Sequence, residues 1–352
     1  MPKPVKNLWE PLLSWENLVL AAHEAARHKR TQDNVLRYNA RLEENLLDLR
    51  ERLRTRTWRP GPFNEFTVYE PKMRLVQAPC YPDRVLHHAL AQQIGPPFER
   101  RFICASYACR AGKGPHAASA RLTDMLRSAA GRWDTVYVLK ADISKYFYSI
   151  DHERLLRVVP RTIGDPHVLD LIQTLVTKCP VTGDRGLPLG ALTSQLLANG
   201  YLDQLDHYCK EALRLKYYVR YMDDFVVLGP EKTALWRLLD EIRDFLAVEY
   251  HLSLNPKTRV FPASHGVDFA GYRHWTTHKL PRKRTLRRAA RRFRGLSRLY
   301  AAGRVSLDTV RSSVASFAGY IKHCKGWRSA GSALEGLVLV KVGGDGEESE
   351  CS

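Results

Sequence analysis

The chain has 352 residues, with 55 Lys and Arg against 37 Asp and Glu, and its formal net charge at pH 7 is +18. Its length and 44% content of hydrophobic residues are sufficient to bury a large core, which excludes a disordered chain. Its apolar stretches fall short of the roughly 20 residues of a membrane span, and the N-terminal MPKPVKNLWE does not resemble a signal peptide. We therefore expect a cytoplasmic protein without membrane contact. Seven scattered cysteines without a CxxC pair argue against a zinc site or a disulfide framework.

The first third of the chain predicts helices followed by a short hairpin. Residues 8–60 are rich in strong helix formers, and WRPGP at 58–62 is a break. Residues 66–78 predict two short strands, and 83–94 predict a helix. Residues 109–116 form a glycine-rich basic loop that lacks the spacing of a phosphate-binding P-loop.

The middle of the chain mixes strands and helices without regular alternation. A helix is predicted at roughly 116–130, and the β-branched stretch TVYVLKADI at 135–143 predicts a strand. An apolar helix follows at 191–212 and a hairpin at 217–229. Because the strands are not separated by regular crossover helices, this order favours an α+β architecture.

The positive charge is concentrated near the C-terminus. Residues 281–328 contain fourteen Lys and Arg and one acid, Asp308, whereas the glycine-rich tail at 343–352 is acidic and predicted to be disordered. Apolar residues recur at helical spacing in two series, the second after a Ser306 cap: Leu286, Ala290, Phe293, Leu296 and Tyr300, then Leu307, Val310, Val314, Phe317 and Ile321. The pattern predicts two packed helices, one with a basic face for nucleic acid. A merely solvated helix is the alternative, but it would carry alternating signs.

Acidic residues at strand ends are the sharpest feature. YYVRYMDDFVVLG at 217–229 predicts strand, tight turn and strand, with Asp223 and Asp224 at the turn. A single turn acid is ordinary, but two adjacent carboxylates between apolar strands are costly unless a divalent cation neutralises them. Asp142 ends the strand at 135–143 in a similar setting. Three such acids suit two magnesium ions that act in phosphoryl transfer, although spacing alone leaves an ordinary turn equally open.

Two motifs resemble those of reverse transcriptases. YMDD between apolar strands is similar to their catalytic motif, and ADISKYFYSIDH is similar to their first acidic motif, which Asp142 leads. The resemblance implies a right-hand polymerase with fingers, palm and thumb after an N-terminal helical extension. It also implies two Mg²⁺ ions held by Asp142 and Asp223, with Asp224 completing the site and the Ile143 carbonyl as a further ligand.

The same resemblance assigns nucleotide-binding residues. EPKMRLV is similar to the fingers segment, which places Lys72 and Arg74 at the incoming triphosphate; a solvated strand turn is the alternative. Phe147 matches the aromatic residue that clashes with a ribose 2′-hydroxyl, unless it is a core aromatic. Lys257 in LSLNPKT matches a lysine that assists pyrophosphate departure.

The resemblance also assigns residues that bind the primer and the template, and these lie further along the chain. GVDFAGYRHW, with Gly271 and Tyr272, is similar to the hairpin that grips the primer. The basic helices after Pro281 fall where a thumb belongs, and four of their arginines are expected to bind the primer–template: Arg284, Arg287, Arg288 and Arg291.

Several strings narrow the resemblance to the reverse transcriptases of diversity-generating retroelements, which are bacterial or phage-encoded. They are Ser194-Gln195, where many relatives have Ser-Pro, and WENL, DRVLHHAL and SYACRAGKGPHAA. Leu189 stands where retroviral enzymes have a glutamine that contacts the nascent pair, so its apolar side chain should grip the base pair less specifically. Relatives in this subfamily miscopy template adenines, and the resemblance implies the same here. Leu189, Arg74 and Gln195 are expected to influence fidelity, although Leu189 could simply pack.

The resemblance also implies domains and partners. The predicted partners are template RNA, the RNA–cDNA duplex, deoxynucleotides and a small basic oligomeric accessory protein. Rival interpretations are another bacterial reverse transcriptase, defence-associated or intron-like, and an idle RNA-binding scaffold, which the intact acids disfavour. Phe147 and Met222 disfavour an RNA-dependent RNA polymerase. The predicted domains are an N-terminal helical extension at 1–60, fingers at 61–133, palm at 134–155, a connection at 156–188, palm at 189–276, thumb at 277–335 and an acidic tail at 336–352.

Overall fold

The computed structural model describes residues 3–69, 73–181 and 183–340. The chain divides into two compact units. The first comprises Met1–Gly114, Leu139–Val227 and Thr233–Arg259, and the second Pro115–Val138, Leu228–Lys232 and Val260–Ser352. The acidic tail predicted at 336–352 lies largely outside the described residues.

The first unit opens with four helices. Ser14 caps the second of them, because its hydroxyl accepts a hydrogen bond from the Asn17 N–H at 3.2 Å. The alanine- and leucine-rich face of this helix is buried, including Leu18, Ala21 and Ala25. The helical prediction for residues 8–60 and the break after it are confirmed. The helices are α1 (Trp9–Leu13), α2 (Trp15–Ala26), α3 (Asp33–Asn39) and α4 (Leu42–Arg54).

A two-stranded hairpin and a long helix follow. Strands β1 (Phe63–Val68) and β2 (Arg74–Pro79) are antiparallel, with Phe66 opposite Val76. Helix α5 (Tyr81–Arg101) is longer than the predicted helix, because it continues through Pro96 and Pro97. Proline in a helix interior removes a backbone hydrogen bond. Burial of neighbouring apolar groups, Pro97 and Phe98 among them, offsets that cost.

The central sheet of the first unit carries the acidic residues. Its strands lie in the order β4 (Tyr218–Tyr221), β5 (Asp224–Gly229) and β3 (Tyr137–Asp142), and β4 and β5 form the predicted hairpin. Buried residues such as Val138, Val219 and Val226 make these strands part of the core. Further helices of this unit are α7 (Tyr146–Ser149), α8 (His152–Val158), α9 (Pro166–Thr177), α10 (Leu192–Tyr201), α11 (Asp203–His207) and α12 (Lys232–Tyr250).

The prediction of one continuous helix over residues 191–212 is wrong. Helix α10 ends at Tyr201, α11 covers Asp203–His207, and a π-helical turn covers Tyr208–Ala212. In that turn the Leu213 N–H donates to the Tyr208 carbonyl at 2.9 Å. Apolar periodicity persists across these segments, so hydropathy alone could not show where the hydrogen-bond pattern changes.

The second unit combines a three-stranded sheet with helices. Its elements are α6 (Pro115–Ala130), β6 (Arg259–Pro262), β7 (Val267–Phe269), β8 (Tyr272–His274), β9 (Lys279–Pro281), α13 (Lys283–Ala301), α14 (Leu307–Ile321) and α15 (Trp327–Leu334). Strands β7, β8 and β9 form an antiparallel sheet, and β3 has β6 as its neighbour.

The basic segment forms the two packed helices that the sequence predicts. Phe293 of α13 is 1% exposed and belongs to a cluster with Val310 of α14 and Ala333 of α15. Ser306 caps α14 by accepting from the Thr309 N–H at 3.3 Å. Within the described residues, no helix is long and apolar enough to cross a membrane. The domain boundaries drawn from the sequence stay predictions.

Gly190 offers a test of the packing between residues 187–190, the LPLG segment, and β2. A Cβ at this position would lie 2.6 Å from the Gln77 carbonyl oxygen and 2.7 Å from the Ala78 Cα. Because backbone atoms cannot yield as a side chain can, Gly190→Ala should lower the free energy of unfolding by about 1–3 kcal/mol in urea titrations. Gly95→Ala is the matched control, since no atom lies within 4 Å of its Cβ, and it should be neutral or slightly stabilising. Equal stability of Gly190→Ala and the wild type would contradict the packing argument.

Candidate active site

Asp142 ends β3 and is fixed by the loop before β6. The Asn255 N–H donates to the Asp142 carbonyl at 2.7 Å, and the Asn255 side-chain amide donates to the Asp142 carboxylate at 3.2 Å. Along β3, Lys140 and Asp142 are half-buried while Ala141 between them is buried. Because side chains alternate along a strand, Lys140 and Asp142 share one face.

The turn between β4 and β5 presents Asp223. Tyr221 pairs with Asp224, so Met222 and Asp223 are the two central residues. Met222 has φ of 55°, in the left-handed region, where a non-glycine side chain costs about 1–3 kcal/mol. The sequence predicts a tight turn here, but it does not predict the strained backbone of Met222, because methionine gives no sequence signal for this conformation.

One hydrogen bond ties this turn to the end of β3. The Ile143 N–H donates to the Asp223 carbonyl at 3.2 Å. The pKa of Asp223 is raised to about 6, first by burial and then by the negative charge of Asp142, while Arg74 opposes the shift. The structure therefore brings Asp142 and Asp223 into electrostatic contact, and a positive charge between them would relieve their repulsion.

Asp224 has a different partner. Its Oδ1 lies 2.5 Å from Nζ of Lys140, and this lysine was missed by the sequence reasoning. The available signal was its position two residues before Asp142 on the same face of the strand. In the part of the chain that the structure describes, no group of three or more His, Cys, Asp or Glu side chains is arranged to hold a metal ion. The metal-binding role of Asp224 stays a prediction.

Asp142 and Asp223 nevertheless fit a magnesium ion. Carboxylate oxygens are the ligands that this hard cation prefers, and the mutual repulsion in the pair is what a divalent ion would neutralise. The Ile143 amide is used to hold the turn, and the predicted role of the Ile143 carbonyl as a ligand is untested. The number of ions also stays a prediction.

The predicted nucleotide-binding residues of the first unit occupy several elements. Arg74 is exposed on β2 and acts electrostatically on Asp223. Phe147 on α7 is half-buried, and its carbonyl accepts from the Leu187 N–H at 2.8 Å. This bond connects α7 with the LPLG segment, in which Leu189 is half-buried.

The remaining predicted residues of this set are less constrained. Gln195 is half-buried on α10, and Lys257 is exposed, with its N–H donating to the Asn255 side chain at 3.0 Å. Lys72 lies outside the described residues. The structure brings Arg74 into electrostatic contact with Asp223, whereas the nucleotide-binding roles of all these residues stay predictions.

The predicted primer-gripping residues belong to the second unit. Gly271 joins β7 to β8 with φ of 92°, which favours glycine, and its carbonyl accepts from the Tyr320 hydroxyl at 2.7 Å. Tyr272 is buried, and its ring stacks on that of Tyr320 at 4.7 Å between centroids. The four arginines of α13 that are predicted to bind the primer–template are exposed, as the amphipathic pattern predicts: Arg284, Arg287, Arg288 and Arg291.

A strand hairpin with paired acids, next to a third acid on a neighbouring strand, is typical of right-hand polymerases. Residues 67–274 match the family described as reverse transcriptase (RNA-dependent DNA polymerase), which is more than half of the chain. The chain therefore belongs to the reverse transcriptase family.

Two curated proteins are similar to this chain in sequence. Protein YkfC of Escherichia coli K12 is 27% identical over 299 residues, which cover 72% of this chain and 75% of YkfC. The group II intron-encoded protein LtrA of Lactococcus lactis subsp. cremoris is 26% identical over 185 residues, which cover 50% of this chain and 30% of LtrA. The chain thus spans most of one relative and less than a third of the other.

A solved structure supports the fold alone. Apo telomerase from Candida tropicalis superimposes with a TM-score of 0.51 at 11% identity, covering 80% of this chain and 63% of the telomerase chain. The α+β right-hand polymerase fold expected from the sequence is confirmed. The family match and the relatives support RNA-directed DNA polymerase activity, which is a nucleotidyl transfer.

The raised pKa of Asp223 predicts how the metal-free protein responds to pH. Because the folded-state pKa lies above the usual 3.8, ionisation of this carboxyl destabilises the fold as pH rises through about 4 to 6. In EDTA at pH 7, Asp223→Asn should therefore be more stable than the wild type by about 1–3 kcal/mol. The difference should vanish near pH 4, as measured by urea unfolding.

Saturating Mg²⁺ supplies the second arm of this experiment. It should stabilise the wild type and have little effect on Asp223→Asn, because ligands stabilise only the state that binds them. Asp240→Asn on α12 removes an exposed carboxylate and controls for net charge. A variant that is less stable than the wild type at pH 7 without metal would contradict the repulsion between Asp142 and Asp223.

Proposed function

We propose that this chain copies the template RNA of a diversity-generating retroelement into cDNA, with errors at template adenines. The observation that carries the polymerase part is the pairing of Asp142 with Asp223. Their electrostatic contact, imposed by the Ile143 bond to the turn, is what a metal-dependent nucleotidyl transfer requires of a protein. Membership of the reverse transcriptase family makes RNA-templated DNA synthesis the reaction that this pair serves.

The acidic residues would perform the chemistry by holding Mg²⁺. Magnesium bound by Asp142 and Asp223 would lower the pKa of the primer 3′-hydroxyl and neutralise charge on the departing pyrophosphate. The hydrogen bonds from Asn255 keep the Asp142 carboxylate oriented. Lys140 balances the charge of Asp224, so that the third carboxylate adds less repulsion to the pair.

Nucleotide selection is assigned to the residues around the acids. Arg74 is exposed, and its positive charge lowers the pKa of Asp223. A guanidinium at this position would bind triphosphate oxygens through charge-assisted hydrogen bonds. Phe147 would exclude a ribose 2′-hydroxyl and so select deoxynucleotides. Its backbone bond to Leu187 would keep the ring in place.

The primer–template duplex would lie against cationic surface. The exposed arginines of α13 would contact phosphates, which gives affinity without reading sequence. Template RNA and the RNA–cDNA duplex are therefore the partners that we propose, together with a small basic accessory protein that the resemblance implies.

The assignment to a diversity-generating element is supported by Ser194-Gln195 and by Leu189. An apolar side chain at Leu189 cannot hydrogen-bond around the nascent base pair, which would weaken discrimination. Another bacterial reverse transcriptase fits equally, because the chain is also similar to an intron-encoded protein. Copying errors separate these two candidates.

The polymerase proposal predicts metal-dependent cDNA synthesis. The purified chain, given primed RNA, deoxynucleotides and Mg²⁺, should extend the primer, and Asp223→Asn should reduce the rate by about 10³-fold or more because a metal ligand is lost. Asp240→Asn should retain wild-type activity. Absence of product from the wild type, both alone and with the accessory protein and template RNA from the same locus, would overturn the proposal.

The diversification proposal predicts an error pattern. Sequencing of wild-type cDNA should show misincorporation concentrated at template adenines, and Leu189→Gln should reduce it several-fold because an amide can hydrogen-bond the nascent pair. Leu196→Gln, on half-buried Leu196 of α10, controls for an added amide elsewhere. Equal error rates at all four template bases would leave the polymerase intact and favour the other bacterial reverse transcriptases.

A further inference from the structure

Arg220 is a fully buried charged residue on β4, two positions before Met222. Its side chain is 0% exposed, as is that of its ion-pair partner, Asp206 of α11. Removing a guanidinium and a carboxylate from water costs several kcal/mol per ion, and their attraction returns that cost only when the hydrogen bonding is complete. Such a pair is therefore weak evidence for added stability, and its position beneath the catalytic turn requires another explanation.

The ion pair is bidentate. Nε of Arg220 donates to Oδ1 of Asp206 at 2.7 Å, and Nη2 donates to Oδ2 at 2.5 Å. The Tyr218 hydroxyl donates to the same Oδ1 at 2.7 Å. Burial opposes the charged form of Arg220, but the negative charge of Asp206 outweighs it and raises the pKa, so the guanidinium stays charged. The two parallel bonds to Asp206 fix the plane of the guanidinium.

The remaining donors of Arg220 face the turn and its surroundings. Nη1 donates to the Met222 carbonyl at 2.8 Å and to the Asn199 side-chain oxygen at 3.3 Å. Nη2 also donates to the Ser106 hydroxyl at 3.2 Å. One rigid guanidinium thereby connects a helix, a loop and the backbone of the residue that directly precedes Asp223.

The backbone of Arg220 is itself held on both sides. Its N–H donates to the Ala105 carbonyl at 2.9 Å, and its carbonyl accepts from the Tyr107 N–H at 3.1 Å. The backbone from which the guanidinium extends is therefore fixed. The group that it holds, the Met222 carbonyl, belongs to a residue in the left-handed backbone region, which persists only when its surroundings impose it.

We propose that Arg220 and Asp206 are positioning residues for catalysis. The pair holds the left-handed turn at Met222 and thereby aims the Asp223 carboxylate at Asp142. Neither residue touches the nucleotide or the metal in this scheme. The inference rests on the proposed polymerase function.

The test compares Arg220→Lys and Asp206→Asn with the wild type. A lysine keeps the charge but cannot bond Asp206 and the Met222 carbonyl together, so the turn should lose its fixed orientation. We expect kcat for deoxynucleotide incorporation to fall about 10–100-fold while KM changes less than about threefold, as for residues that orient metal ligands. The dissociation constant for Mn²⁺, measured by electron paramagnetic resonance without substrate, should rise about tenfold.

A second buried arginine, Arg101 of α5, provides a matched control, because its acidic partner lies on the same helix as Asp206. Arg101 forms another buried pair with Asp203 of α11, and it donates to the Arg161 carbonyl at 2.6 Å. Arg101→Lys should match the wild type in kcat and Mn²⁺ affinity to within about threefold, even if its melting temperature falls as far as that of Arg220→Lys. Circular dichroism establishes that each variant is folded.

The outcomes separate this inference from the proposed function. Folded Arg220→Lys and Asp206→Asn with wild-type kcat and Mn²⁺ affinity would overturn positioning while leaving the polymerase intact. Failure of both variants to fold, or equal losses in Arg101→Lys, would assign the pair to stability alone and also overturn it. A wild type that neither polymerises nor binds Mn²⁺ would remove the proposed function itself.

Discussion

Asp142 and Asp223 repel each other electrostatically, and the surrounding structure holds them close together despite this repulsion. The end of β3, which carries Asp142, is held to the turn that carries Asp223 in part by the hydrogen bond from the Ile143 N–H to the Asp223 carbonyl. The pKa of Asp223 is raised first by burial and then by the negative charge of Asp142. A site that remains unfavourable until a cation arrives is suited to bind a divalent metal and charged triphosphate together.

Three cationic groups around the acids play different parts. Lys140 pairs directly with Asp224, and Arg74 lowers the pKa of Asp223 from an exposed position on β2. Arg220 does neither, because both ends of its guanidinium are used by Asp206 and by the turn backbone. Lys140 and Arg74 thus act on the charges of the acids, whereas Arg220 contacts the backbone of the turn.

Much of the fold could be predicted from sequence patterns. The YMDD hairpin, the strand ending at Asp142 and the capped helix after Ser306 all follow from local periodicity and turn chemistry, and the structure confirms them. Helix α5 extends past its predicted end, and the stretch at 191–212 divides into separate segments. Helix α5 continues where the burial of Pro97 and Phe98 outweighs local preference, whereas the stretch at 191–212 is interrupted after Tyr201 and ends in a π-helical turn.

The sequence by itself determined the chemical inventory of this protein: the three acids, their strand settings, the aromatic Phe147 and the basic helix. These depend on residue type and short spacing, which are local properties. Only the tertiary structure decided which charges meet. The pairing of Lys140 with Asp224 spans 84 residues, and the contacts of Arg220 with Asn199 and Ser106 span 21 and 114. Such contacts depend on how strands and helices pack, and no local pattern encodes them.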